Sequence, residues 1–313
     1  MNDGFLGGLR LAMVALQNIG FAVLVGALLC DTWLARSHSR WQAGVSMRLL
    51  LTVRIASLTT LASGAFAFWI HCALMSESTL SEAGPAVRSM LVETGFGHAS
   101  LVGAAFMLGV VVLSLVQSGK PIRFKPVIWL AFAGVALSRS HAGHPVDAGV
   151  FSIPVWADWM HFLAISVWVG IVLVTTYIVV PRVFSAPATD RANTAMFIQS
   201  LSGAATFALF VLFATGAYNG WRGVATPENL WASAYGQILL LKLALVLIAA
   251  ALGAHNRFFA MPPLLASLKE PLSESPPRPL KRFAAVLHVE SVVLAGVLVA
   301  AAILVSSPLP GTA

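Results

Sequence analysis

"SRSHAGHPVDAGVFSIPVWADWMHFLAISVWVG", residues 138–170, opens polar and ends apolar. Its first part carries His141 and His144; its second carries Asp158 and His161 among Trp156, Trp159, Met160 and Trp168. A polar stretch that turns into an unbroken apolar run reads as a chain entering a membrane. The same pattern recurs along the chain. Of 313 residues 58% are hydrophobic and only 10% charged, where a soluble domain carries about 25% charge. Runs at roughly 9–30, 49–72, 98–117, 122–140, 155–180, 200–221, 235–256 and 284–305 are each long enough to cross about 30 Å of hydrocarbon. They do not alternate, which excludes a β-barrel. The sequence therefore predicts an all-α polytopic membrane bundle with eight transmembrane helices. It reads as one membrane domain over 1–313, with four spans in 1–140 and four in 155–305. The first apolar run lacks a basic leader, so it is expected to be an uncleaved span.

Charge orients the bundle. The odd connections hold Arg36, Arg40 and Arg48; Lys120, Arg123 and Lys125; Arg182 and Arg191; and Arg257, Lys269, Arg278, Lys281 and Arg282. The opposite side receives only Arg10, Arg88, Arg139 and Arg222. Thirteen against four predicts cytoplasmic odd loops and two termini outside, which in a bacterium is the periplasm. The net charge of +7 then reads as basic cytoplasmic loops rather than a nucleic-acid surface. The proline-rich stretch over 257–283 reads as a cytoplasmic loop. No nucleotide-binding glycine loop is present, so direct ATP hydrolysis is not expected. The expected partners of the surface are membrane lipids. Cys30 and Cys72 fall near opposite faces, which argues against a disulfide.

On this map five of the eight histidines share one depth. His71 ends the second span, His98 begins the third, His141 and His144 follow the fourth, and His161 lies one to two turns inside the fifth. Asp158 and His161 are three residues apart and share a helix face. That face belongs toward the bundle interior, because lipid rejects it. Neutral imidazole suits copper or zinc, and a bundle assembles metal sites from several helices at one depth. The residues therefore suggest an outer metal site built from His161, His98, His141, His144, His71 and Asp158. Each histidine alone also reads as an interfacial polar group, and the tryptophans as an aromatic belt.

Other ionisable groups fall inside the apolar runs. Arg54 and Glu290 lie at a similar depth from the cytoplasmic side, so they are expected to pair. Lys242, about 10 Å below the outer face, matches Asp158 and His161 and either neutralises Asp158 or tempers a cation site. Asn18 and Asn219 are further buried polar candidates. An inner exit would draw on His255, His288 and Glu290.

The second half resembles the copper resistance protein D (CopD) family. The resemblance is carried by "WADWMHFLAISVWVG", "FATGAYNGW", "YGQILLLKLALVLIAAALGAHNRF" and "KRFAAVLHVESVVLAGVLVAAAILVSSPLP", together about 155–310. "GFGHAS" and the number of spans extend it more loosely to the first half. The resemblance implies an eight-span inner-membrane protein with periplasmic termini, engaged in copper resistance or uptake beside a periplasmic copper chaperone of the CopC type. It places His161, Gly170, Gly216, Asn219, Lys242, Asn256, Arg257 and Glu290 in matching motifs. Import of periplasmic copper is the leading expectation, so a transporter or metal-binding membrane protein rather than an enzyme. One alternative is a b-type cytochrome with haem between His98 and His161, since such ligands face each other across neighbouring helices. Another is an assembly factor that docks a copper chaperone and transports nothing.

Overall fold

Hydroxyl caps and early prolines fix where the helices begin. Ser39 Oγ accepts the backbone N–H of Gln42 at 3.1 Å, Thr94 Oγ1 that of Gly97 at 2.9 Å, and Ser233 Oγ that of Gly236 at 3.0 Å. Each opens a long apolar helix. Pro126 and Pro154 occupy first turns, where the missing N–H costs nothing.

The computed structural model describes residues 2–34, 39–117, 122–184, 186–269 and 278–307. Its long helices are α1 (Asn2–Leu34), α2 (Arg40–Met75), α3 (Gly95–Val116), α4 (Lys125–His141), α5 (Ile153–Val183), α6 (Arg191–Val224), α7 (Ala234–Ser267) and α8 (Arg278–Ser306). A short helix, Gly84–Glu93, precedes α3. Among the described residues there is no strand, so the molecule is all-α. A π-helical turn interrupts α5 at Thr175–Val179 and another interrupts α7 at Asn256–Ala260.

Seven of the long helices, all but α4, are long and apolar enough to cross a membrane. The expected fourth span is the exception. Phe124 adopts a left-handed conformation, with φ 56°, and α4 starts only after it. Its 17 residues reach about 25 Å, short of a hydrocarbon core of about 30 Å. The other helices outrun their apolar stretches, at both ends in all but α3, because backbone hydrogen bonding continues into interfacial residues. The stretch 257–283 is not one loop: α7 continues through Pro262 and Pro263 to Ser267, and α8 begins at Arg278. Both prolines directly follow the π turn, at the start of the last helical segment, where proline is tolerated.

The two halves interlock. α1 packs against α2 on one side and α5 on the other, and it also touches α8. At the α1–α5 crossing the backbones nearly touch: a Cβ on Gly26 would collide with the backbone of Gly170, and one on Gly170 with that of Ala22 and Gly26. Small residues permit this approach, which substitutes for the hydrophobic driving force absent in lipid. Phe21 of α1 stacks on Phe162 of α5 at 5.0 Å and meets Phe132 of α4 edge-on at 5.5 Å. α5 is consequently the central helix, with 72% of its most apolar window buried, whereas only 6% of that of α7 is. The outward leucines and phenylalanines of α6 and α7 form a lipid-facing surface. At the other end of the molecule fully buried Asp31 pairs with Lys125 at 2.9 Å and accepts the Ile122 N–H at 3.3 Å. This ties the end of α1 to the start of α4.

Candidate functional site

Among the described residues α5 supplies a residue to each of two polar regions in the interior. The first lies around His161. Thr215 of α6 donates its hydroxyl proton to its own helix, at the Val211 carbonyl, 2.6 Å away. Its oxygen lies 3.0 Å from His161 Nδ1. With the hydroxyl proton spent, Thr215 accepts here, so Nδ1 carries the imidazole proton and Nε2 keeps its lone pair. Gly216 makes room for the ring; a Cβ there would sit 3.3 Å from His161 Cε1. Asn219, one turn beyond Thr215, falls on the same face of α6.

Asp158, one turn before His161, accepts the Ser140 hydroxyl at 2.7 Å. It lies within electrostatic reach of Arg139 and Lys242, and Lys242 within that of His161. Among the described residues neither cation makes a side-chain hydrogen bond or an ion pair. Arg139 instead sits over the Phe162 ring, 4.6 Å from its centroid, a cation–π contact. The expected association of Lys242 with Asp158 is thus through space rather than by contact. The cluster holds two cations and one carboxylate around a neutral-type imidazole.

The other outer histidines face elsewhere. His98 is exposed and turns Nε2 to the Val92 carbonyl at 3.0 Å, at the end of the short helix Gly84–Glu93. His71 packs edge-on against Phe96 at 4.9 Å, and its Nδ1 is buried without a partner. His141 has a carbonyl at each nitrogen, Leu137 at 2.8 Å and Val150 at 2.9 Å, so neither nitrogen points into open space. His144 opens a short 3-10 turn, and its side chain lies outside the described residues. Among the described residues no three His, Cys, Asp or Glu side chains converge as a metal-binding set. Similar positions along neighbouring spans do not bring residues together when their helices point them in different directions.

The second polar region is a cavity between α5, α6, α7 and α8. Glu290 is buried there, and its Oε1 accepts the Trp168 indole N–H at 3.1 Å. The expected Arg54–Glu290 pair does not form. Arg54 donates instead to the Ser114 carbonyl at 2.9 Å and the Gln117 carbonyl at 2.6 Å. Those are terminal carbonyls of α3, which lack intrahelical donors, and α2 passes directly beside them. On the same cavity Arg257 donates through Nη1 to the Ser202 carbonyl (3.2 Å), Ser202 Oγ (2.7 Å) and Thr206 Oγ1 (3.1 Å). His255 and His288 do not join Glu290. His255 stacks on Phe259 and faces Arg282 at 3.4 Å, and His288 is exposed against the Tyr177 edge.

The sequence reading passed over Arg139, Ser140, Thr215 and Ser202 as site residues. Arg139 counts there only as a positive charge on the outer side. Thr215 carries a usable signal: with Asn219 it makes a polar pair four residues apart on one face of the span.

Two family models match the chain: copper resistance protein D over residues 195–304, and the copper resistance protein D-like N-terminal domain over residues 1–153. Most of α5, with Asp158, His161 and Trp168, falls between the two matches. Over 228 residues the chain is 24% identical to the copper transport protein CutJ of Bacillus subtilis (strain 168), covering 69% of this chain and 41% of that protein. The chain thus spans about two fifths of the length of the relative it matches. No solved structure matches.

Proposed function

Because the chain belongs to the copper resistance protein D family, we propose that it carries copper across a bacterial inner membrane, inward from the periplasm. The cargo is suggested by the family and by the name of the Bacillus relative. The observation that carries the reading on this chain's own residues is His161. It is an imidazole in an apolar span, oriented through Nδ1 by Thr215, and among the described residues its Nε2 meets no hydrogen-bond partner. A soft or borderline metal ion is the ligand that such a nitrogen suits. The lack of a convergent three-ligand set among the described residues fits passage better than storage, since a transported ion must leave each site again. Asp158 offsets the field of Arg139 and Lys242, which together keep a cation from settling at His161. His71, His98 and His144 serve as outer residues that receive the ion, His141 would join them only on leaving its carbonyl partners, and a periplasmic chaperone of the CopC type delivers it.

The topology we infer has α4 as an eighth crossing element and both termini in the periplasm, as the excess of basic residues on the other side suggests. The haem reading requires His98 and His161 to face one another. They make their contacts to Val92 and Thr215 respectively, and no observation favours that reading.

The test is cuprous ion uptake into liposomes holding the purified protein, with His161→Ala compared against wild type of equal folded content. Uptake is expected to fall at least about tenfold, the usual cost of losing a ligand or its orienting group. Undiminished uptake by the variant would remove His161 from the path. Absence of uptake by the wild type, with retained chaperone binding, would favour the docking factor.

A further inference from the structure

The cavity beside Glu290 is about 200 Å³ and is bounded mainly by apolar side chains of α5, α6, α7 and α8. Its polar lining is sparse: Glu290, Asn256, Arg257, Ser202, Thr206 and Trp168. Glu290 is 2% exposed and has no ion-pair partner among the described residues. Its one hydrogen bond comes from Trp168. An ionised carboxylate in such surroundings is costly unless something neutralises or solvates it. Arg257 does not do so, because its guanidinium is held against Ser202 and Thr206 on α6.

Asn256 is the second observation. It is 5% exposed, lines the same cavity, and has both Nδ2 and Oδ1 buried without a partner among the described residues. Each unsatisfied polar atom costs about 1–3 kcal/mol. The π turn that starts at Asn256 brings two consecutive polar residues, Asn256 and Arg257, onto one cavity wall. Such turns interrupt helices frequently at functional sites. An amide that offers a donor and an acceptor, a carboxylate and two hydroxyls together give a small cavity the two to four polar partners that a water molecule needs. Phe283, one of the lining residues, lies seven positions before Glu290 on α8, about 10 Å along the helix. The cavity therefore extends from near the basic end of α8 to the buried carboxylate.

We propose that this cavity is hydrated and that Glu290 is a proton-exchanging carboxylate, so that the protein moves a proton through the inner half of the membrane during its cycle. Hydronium in the cavity gives its proton to the carboxylate, forming one O–H bond and leaving water; the reverse step returns it. Buried carboxylates of this kind mark proton relays in membrane proteins. The charged and titratable groups on the helices packed against α8 leave Glu290 to act alone: Lys242 of α7 lies with Asp158 and His161 of α5 in the other polar cluster. Arg257 lines the cavity but is held on α6, His255 faces Arg282, and α5 presents Trp168. On α1, Asp31 pairs with Lys125, and Arg10 lines a separate pocket with Ser306. On α8 itself, His288 turns to Tyr177.

The inference deepens the transport reading, supplying the ion that would be exchanged, but its test needs no copper. Infrared difference spectra of the purified protein, titrated over about pH 5–9, are expected to show a protonated-carboxyl band that is lost in Glu290→Gln. Identical spectra in the two proteins would overturn the assignment. Hydration is tested separately in Ala205→Cys, whose side chain would line the cavity, against Leu247→Cys on the exposed face of α7. Only a thiolate reacts with a water-soluble methanethiosulfonate, and thiolates form where water reaches, so Ala205→Cys should react at least about tenfold faster. The native Cys30 and Cys72 are both buried. Equal or slower reaction of Ala205→Cys would show a dry cavity and overturn the proposal even if Glu290→Gln failed to fold.

Discussion

Thr215→Val removes the acceptor that fixes His161 and preserves the volume of the side chain. The His161 Nδ1–H, now 3.0 Å from a methyl group in place of an oxygen, has lost its partner within the bundle. Leaving a buried donor unpaired costs about 1–3 kcal/mol, and the ring can escape that cost by moving its proton to Nε2 or by rotating. Either response withdraws the lone pair from the position it holds in the wild type. The usual effect of losing such an orienting partner is about 10- to 100-fold in metal affinity, or about 1.4–2.8 kcal/mol, the same size as the hydrogen-bond cost. We therefore expect cuprous affinity, measured by competition with a chromophoric chelator, to fall about 10- to 100-fold in Thr215→Val. Thr215→Ser keeps the oxygen and should remain within about threefold of wild type. Nitrogen NMR of the imidazole supplies a second readout: a single Nδ1–H tautomer in wild type and Thr215→Ser, and a mixture in Thr215→Val. Unchanged tautomer and unchanged affinity in Thr215→Val would refute the reasoning, since Thr215 would then be only helix packing.

Arg54→Gln removes two charge-assisted hydrogen bonds from the end of α3 and should lower stability in detergent by about 3 kcal/mol, at roughly 1.5 kcal/mol each. Because Arg54 and Glu290 do not pair, the double variant with Glu290→Gln should be additive to within about 0.5 kcal/mol; a larger coupling would restore the pair. Gly170→Val drives a branched side chain into the α1 backbone and should cost at least about 1–3 kcal/mol, whereas the same change at Gly203, which meets nothing within 4 Å, should be tolerated. Reporter fusions after Lys120 and Glu270 should read cytoplasm, and those after Pro85 and Pro145 periplasm; a periplasmic signal after Glu270 would invert the inferred topology.

The all-α membrane architecture is legible from the sequence because lipid leaves the backbone no partner but itself. An apolar run of the right length must be a helix whatever surrounds it. Charge placement adds an inferred orientation by equally local physics. The same locality explains where such reading stops. A hydropathy window sees α4 as one more span, but a left-handed Phe124 stands before its first turn and the helix holds only 17 residues, which hydropathy does not register. Order along the spans was readable for His71, His98, His141 and His161; the direction in which each side chain points was not. Azimuth around each helix, and the neighbour it meets, follow from how α1 and α5 close on Gly26 and Gly170 and carry the other helices with them. Thus tertiary packing sends Arg54 to the carbonyls of α3 and leaves Glu290 with Trp168, although the sequence suggests a shared depth. It places Thr215 beside His161 across 54 residues of chain, and it sets Asn256 against a carboxylate on another helix. From the sequence alone, Arg54, Glu290, Asp158 and His161 belong inside the bundle because lipid rejects them. Which of them share a site was decided only when the helices packed, because hydrogen bonds act over about 3 Å while the pattern of apolar residues is indifferent to partners.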